Sequence, residues 1–286
     1  MIGKIVKAIS GFYYIEVCGK VYECRAKWIL KKNNISPMVG DNAEFEEIGQ
    51  DVGNLISVVD RKNSLIRPPV ANVDKVIIVV AAKNPEPSLL FIDKQLVFLE
   101  KMKIPATICL NKVDIDKAEE IKNIYEKIGY DVILTSVKEK IGIEELREII
   151  KGKTVAFVGN SGVGKSSLTN QLMNEVIMQE GDLSKIERGK QTTRIVKLYK
   201  FENGYLADTA GFSMLDLSMV SDLKKEEISS YYPDFLQGRR ECKYRSCLHT
   251  HGDCGVIKKV QDGEVSKLRY DNYLKILAEL DKNKKF

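Results

Sequence analysis

Histidine is nearly absent: two residues, His249 and His251, stand in one cysteine-rich stretch of a 286-residue chain. Proton transfer anywhere else must proceed without an imidazole, the side chain that titrates nearest neutrality. Long apolar runs are also missing. The longest, over 76–82, falls far short of the roughly 18–20 residues that cross a bilayer, so no membrane span is expected. The first ten residues carry Lys4 and Lys7 inside their apolar run and offer no small-residue cleavage site, which predicts no secretory leader and a soluble, cytoplasmic chain. With 20 Gly and 7 Pro the chain is no collagen-like polymer, and 44% hydrophobic residues exclude a mainly disordered one.

What is present is unevenly spread. Residues 1–67 hold 10 Lys and Arg against 8 Asp and Glu, residues 68–220 balance at 21 each, and residues 221–286 hold 14 against 11. A neutral middle between basic ends suits a polyanionic partner.

The first 66 residues read as five short β-rich runs separated by Gly turns, the strand count of an OB-fold barrel. Tyr13, Tyr14, Tyr22 and Trp28, with Arg25 and Lys27, form either a stacking and phosphate surface for RNA or the filling of a small core. Pro68 and Pro69 then break the chain. Strand–helix alternation follows: strands over 73–82, 106–110, 131–135 and 155–158, and helices over 89–101, 117–128, 143–150 and from Lys165. That is the grammar of a parallel α/β sheet. Beyond about 217 the chain turns helical and polar and ends in an amphipathic helix over 265–280.

Gly159, Asn160, Ser161, Gly162, Val163, Gly164, Lys165 and Ser166, followed by Ser167, fit the phosphate-binding loop G-x-x-x-x-G-K-[ST] between a strand and a helix. Its glycines let successive N–H groups wrap phosphate oxygens, and the helix N-terminus adds a favourable dipole. Lys165 is expected on the β- and γ-phosphates and Ser166 on Mg²⁺. Asn111, Lys112 and Asp114 form Asn-Lys-x-Asp after a buried strand. The carboxylate of Asp114 accepts from the N1–H and N2–H₂ edge of guanine, Asn111 is expected at the other side of the ring, and the Lys112 stem along it. Ser136 and Val137 supply the second base-facing loop. Asp208 is read as holding Mg²⁺ through water and Gly211 as meeting the γ-phosphate. Thr192 and Thr193 lie in a Gly-rich switch loop, Thr193 offering a hydroxyl to Mg²⁺.

The order is unusual. Small GTPases ordinarily run P-loop first and guanine motif last, whereas here 111–114 and 136–138 precede 159–166. Phe212 stands where a Gln would orient the attacking water, so hydrolysis must rest on phosphate and metal electrostatics and on a partner. Cys242, Cys247, His249 and Cys254 make a Cys₃His set for one structural Zn²⁺, with His251 as an alternative ligand. Disulfides are the rival in this stretch. Cys18, Cys24 and Cys109 read as inert core thiols.

Together these segments resemble the RsgA (YjeQ/YloQ) family of circularly permuted bacterial GTPases over nearly the whole length. The resemblance implies a multidomain chain: an OB-fold β-barrel over 1–66, an α/β P-loop GTPase domain with permuted motif order over 67–218, and a helical zinc-binding domain over 219–286. It further implies a monomer that hydrolyses GTP to GDP and phosphate when stimulated by the small ribosomal subunit, late in that subunit's maturation, with barrel and zinc domain on ribosomal RNA. Two features depart from the family: Ala210 replaces a usual Pro, and four residues rather than five separate His249 from Cys254. The rival functions are an ATP-using enzyme, against which Asp114 argues, and a GTP-sensing RNA-binding scaffold with little hydrolysis.

Overall fold

The computed structural model describes residues 1–28, 36–66, 68–180, 196–208 and 223–283. Strands β1 (Ile2–Ile9), β2 (Phe12–Val17), β3 (Lys20–Ala26), β4 (Asn42–Gly49) and β5 (Val52–Val58) close into a barrel. The pairing runs β1–β2–β3–β5–β4 and back to β1, with only β3–β5 parallel. Alternation decides what faces inward: Ile5, Ile15, Tyr22, Cys24, Ala43, Phe45 and Leu55 fill the interior. The aromatic set therefore splits. Tyr22 packs on Phe45 with ring centroids 5.0 Å apart and Tyr13 leans on the same core, whereas Trp28 is 70% exposed. Cys18, expected in a core, sits exposed in the turn before Gly19, its φ of 50° required by the reversal.

Short β6 (Ser64–Leu65) and β7 (Val70–Ala71) flank the proline pair and lead into the second unit. There β8 (Lys75–Ala81), β9 (Ala106–Asn111), β10 (Asp131–Thr135), β11 (Thr154–Val158) and β13 (Gly204–Asp208) are parallel, and β12 (Lys197–Phe201) lies antiparallel to β13. The order is β10-β9-β8-β11-β13-β12. β8 is buried on both faces because successive residues serve different cores: Val76, Ile78 and Val80 one, Ile77, Val79 and Ala81 the other. The helices are α1 (Leu89–Lys101), whose first turn is capped by Ser88 accepting from the N–H of Phe91, α2 (Glu119–Glu126), α3 (Ile143–Ile150) and α4 (Lys165–Glu180). α2 is shorter than the expected 117–128, since Ala118 is left-handed at φ 51° and the chain reverses at Gly129.

Two features lie beyond the sequence reading. β12 pairs with β1 at Lys7 and Lys197, which makes the barrel continuous with the α/β sheet. The Tyr205 hydroxyl, on β13, also donates to Glu16 of the barrel. The C-terminal helices α5 (Lys225–Ile228), α6 (Leu236–Arg240), α7 (Gly255–Gln261) and α8 (Lys267–Asn283) share one hydrophobic core with α1: Phe91, Ile92 and Phe98 pack with Ile228, Tyr232, Phe235 and Tyr273. At its polar centre Arg269, 1% exposed, grips Asp234 at 2.9 and 3.0 Å and pairs with Asp93 of α1. Among the described residues no helix is long and apolar enough to cross a membrane.

Candidate nucleotide site and metal centre

The loop from Gly159 to Ser166 leaves the C-terminal end of β11 and runs into α4. Val163, 3% exposed, plugs it into the core beneath, while Ser161, Gly162, Ser166 and Ser167 stay exposed above. Gly162 and Gly164 are left-handed, at φ 79° and 96°. At Gly164 a second constraint applies, because a Cβ there would stand 2.2 Å from Nδ2 of Asn111. Lys165 folds over the loop and donates to the carbonyls of Gly159 at 2.6 Å and Asn160 at 2.8 Å. Burial lowers its pKa. These carbonyl contacts hold the ammonium at the mouth of the loop, where phosphate oxygens are stronger acceptors.

Asn111, 2% exposed, ends β9 beside this loop. Its Nδ2 donates to the carbonyl of Val163 at 2.9 Å, and its Oδ1 accepts from the Thr135 hydroxyl at 3.1 Å. Expected beside the ring, the side chain here fastens the base-side loop to the phosphate loop. The sequence reading did not include Thr135, at the end of the neighbouring strand; the signal available was a hydroxyl closing the apolar run 132–134. Lys112 is left-handed at φ 65° and reaches across to the carbonyl of Asn84. Asp114 is exposed, and its Oδ1 accepts from the buried Ser136 hydroxyl at 2.7 Å. That hydroxyl in turn accepts from the N–H of Glu139 at 3.1 Å, and Ser136 exchanges two 3.0 Å backbone bonds with Ile141. The donation holds the Asp114 carboxyl below the usual carboxylate range, so it stays an acceptor. Val137 is half-buried beside this loop and packs on the core below.

β13, parallel to β11 and paired with it at Ala207 and Ala156, ends at Asp208 at the same end of the sheet from which the P-loop leaves β11. Thr192, Thr193, Gly211 and Phe212 lie outside the described residues.

The second site is in the C-terminal unit. The donor atoms of Cys242, Cys247, His249 and Cys254 all lie within 4.8 Å of one another. Sulfur–metal bonds of about 2.3 Å and nitrogen–metal bonds of about 2.0–2.1 Å give tetrahedral edges of about 3.8 Å between sulfurs and about 3.6 Å between sulfur and nitrogen. Cys254 Sγ stands 3.7 Å from that of Cys242 and 3.9 Å from that of Cys247, and His249 Nδ1 lies 3.4 and 3.3 Å from Cys242 and Cys254. Three sulfurs and one imidazole nitrogen at close to tetrahedral edge lengths fit a metal and not a disulfide. His251 is exposed and bonds Thr250 at 2.8 Å, away from the cluster. α8 fixes the knot: Tyr270 and Tyr273 donate to the carbonyls of His249 and Leu248 at 2.7 and 2.8 Å.

The chain matches the family model described as RsgA GTPase over residues 58–218 and that described as RsgA N-terminal domain over residues 2–55. It belongs to the RsgA family. A third model, described as a 50S ribosome-binding GTPase, matches residues 154–284, beginning at the P-loop strand. The protein named small ribosomal subunit biogenesis GTPase RsgA from Alkaliphilus metalliredigens is 43% identical, with 99% of both chains covered. Its namesake from Caldanaerobacter subterraneus is 41% identical over 99% of this chain and 97% of its own. Two solved structures share the fold. YloQ, described as a circularly permuted GTPase, superposes with a TM-score of 0.80 at 36% identity, covering 98% of this chain and 95% of its own. YjeQ from Thermotoga maritima gives 0.82 at 35%, covering 98% of each. The permuted RsgA order, guanine motif before P-loop, is therefore that of this chain.

Proposed function

We propose that this RsgA-family chain is a GTPase of small ribosomal subunit biogenesis, one that hydrolyses GTP to GDP and phosphate when the small subunit and its RNA engage it. The observation that carries the reading is the base side of the site: an exposed carboxylate, Asp114, aimed by the buried Ser136 and tied through Asn111 to the phosphate loop. Such an arrangement accepts two hydrogen bonds from the N1–H and N2–H₂ edge of guanine, a pattern that adenine does not offer. In this reading Gly159–Ser167 hold the phosphates, with the Lys165 ammonium on the β- and γ-oxygens. Ser166 and Thr193 ligate Mg²⁺, Asp208 orients its water, and the N–H of Gly211 meets the γ-phosphate, with Thr192 beside it. When bound, Mg²⁺ neutralises charge that develops between the β- and γ-phosphates. Phe212 offers the attacking water no acceptor, which leaves its placement to backbone groups and to the ribosomal partner.

The Cys₃His knot holds one structural Zn²⁺ and presents the basic residues around it to RNA. The chain acts as a cytoplasmic monomer in three units, 1–66, 67–218 and 219–286. Phosphate release measured with GTP and with ATP, alone and with each separated ribosomal subunit, tests the reading. GTP-specific turnover raised by small subunits alone is expected; turnover of ATP, or no response to small subunits, would refute it.

A further inference from the structure

In the strand order the β12–β13 hairpin stands between the P-loop strand β11 and β1 of the barrel. Its closed end is pinned to the GTPase unit. The Glu202 carbonyl accepts from Gly152 at 3.0 Å, its carboxylate accepts from Arg147 at 2.6 Å, and the Tyr205 N–H donates to Lys153 at 2.9 Å. At the open end Lys197 faces Asp208, and the segments expected on the γ-phosphate adjoin these two residues. β1 meets β12 there at one register position, Lys7 opposite Lys197. A single position with like charges opposed is a weak joint.

A second contact supports it. In a flat sheet, three strand spacings of about 4.8 Å would hold β2 about 14 Å from β13, more than two side chains bridge. Yet the Tyr205 hydroxyl on β13 donates to Oε2 of Glu16 on β2, and Lys4 of β1 sits 5.6 Å from the centre of the Tyr205 ring. The sheet therefore folds over at the β1–β12 seam, and this bond closes the fold. Glu16 is held ready for it: the side chain is 11% exposed, and Oε1 accepts from the N–H of Gly19 at 2.7 Å and lies 3.9 Å from Lys200. Burial and the carboxylate push the Tyr205 pKa up, so the hydroxyl keeps its proton and donates.

Resting on the proposed function, we infer that Tyr205 is a positioning residue for hydrolysis: through Glu16 it latches the barrel onto the hairpin and so holds the end that carries Asp208. Tyr205 lies three residues, about 10 Å, from Asp208 along one strand and acts through that strand. With the latch closed, β1 stays against β12 at Lys197, level with Asp208. With it open, the opposed lysines separate and the open end of the hairpin loses the barrel as its neighbour. A partner that holds the barrel then has no grip on the metal side of the site.

The test uses the full zinc-loaded chain and Tyr205→Phe, which removes the hydroxyl and keeps the ring beside Lys4. Tyr130→Phe, which removes a hydroxyl bonded to Glu100 at 2.9 Å elsewhere in the fold, is the control. Hydrogen exchange without nucleotide reads the seam. Amides of β1 and β12 in Tyr205→Phe should exchange at least about ten-fold faster than in the control, the factor by which a hydrogen bond to a charged group shifts an opening equilibrium. In single-turnover hydrolysis the variant should keep its basal rate and its affinity for small subunits, and lose several-fold of the stimulation. Adding Tyr205→Phe to Glu16→Ala should cost nothing further, because both open one contact. Seam exchange equal to the control's, full stimulation, equal loss of basal and stimulated rates, or additive losses in the pair each overturn the proposal. A wild-type chain that small subunits leave unstimulated refutes the proposed function alone if seam exchange still responds to Tyr205→Phe, and both if it does not.

Discussion

Arg269→Met is the substitution whose cost follows most directly from the fold. The guanidinium is 1% exposed, donates twice to Asp234 at 2.9 and 3.0 Å, pairs with Asp93, and lies 4.8 and 5.4 Å from the rings of Tyr232 and Tyr125. Methionine fills most of the space and keeps the ring contacts apolar. It leaves two carboxylates, Asp93 and Asp234, with side chains 0% and 3% exposed and no counter-charge between them. Asp93 keeps only the neutral donors Asn272 at 2.7 Å and Tyr125 at 3.0 Å. Removing one partner of a buried pair costs about 3–5 kcal/mol, a fall in melting temperature on the order of 10 °C for a unit of this size. The assay is guanidinium and thermal unfolding of the zinc-loaded chain, read at the first transition because several units need not melt together. Adding Asp93→Asn and Asp234→Asn to Arg269→Met should recover most of the loss, since the penalty belongs to the stranded charges. A single variant within about 1 kcal/mol of the parent, or a triple variant no more stable than the single, would refute this account of how the C-terminal unit is held.

Three other outcomes are expected. Asp114→Asn should weaken GTP binding and favour xanthine nucleotides, measured by competition, because the amide reverses half of the hydrogen-bond polarity at the base; an intact guanine preference counts against the base-side assignment. Elemental analysis should find one zinc per chain, and Cys247→Ser should unfold the C-terminal helices while nucleotide binding persists, since the metal supplies folding free energy to the knot and the P-loop rests on the sheet. Protein that is folded and metal-free after gentle purification contradicts it. Lys165→Ala should abolish both basal and stimulated hydrolysis while leaving binding to small subunits unchanged. Residual stimulated turnover would move γ-phosphate stabilisation to another group.

Much of this was legible in the chain where local rules and tertiary demands agree. The helix Leu89–Lys101 lies where it was expected, with Ser88 capping its first turn. β8 could be read because an unbroken apolar run needs two buried faces. What escaped depends on contacts between distant segments. Lys197–Phe201 carries the alternation of an edge strand, yet nothing local says that its partner is β1 of the barrel. The Asn-Lys-x-Asp pattern locates Asn111, but only the fold shows both of its polar atoms engaged by Val163 and Thr135. Spacing favoured His249 but left His251 as an alternative; the left-handed backbone at His249, φ 52°, and the tyrosine bond to its carbonyl bring that one ring to the cluster. Likewise, composition gave no sign that α1 and the C-terminal helices bury one another in one core.

The most direct test of the central claim is single-turnover phosphate release from saturating GTP, titrated with purified small ribosomal subunits and, in parallel, with large ones. The site lacks a water-orienting Gln and any histidine outside the knot, so the isolated chain should turn over slowly. Partner-supplied charge and positioning raise such rates by about 10³–10⁵-fold in other GTPases, so a steep, saturable rise with small subunits, at close to one chain per subunit, is expected, with no rise from large ones. A chain that is already fast alone, or one that small subunits leave unchanged, contradicts the account.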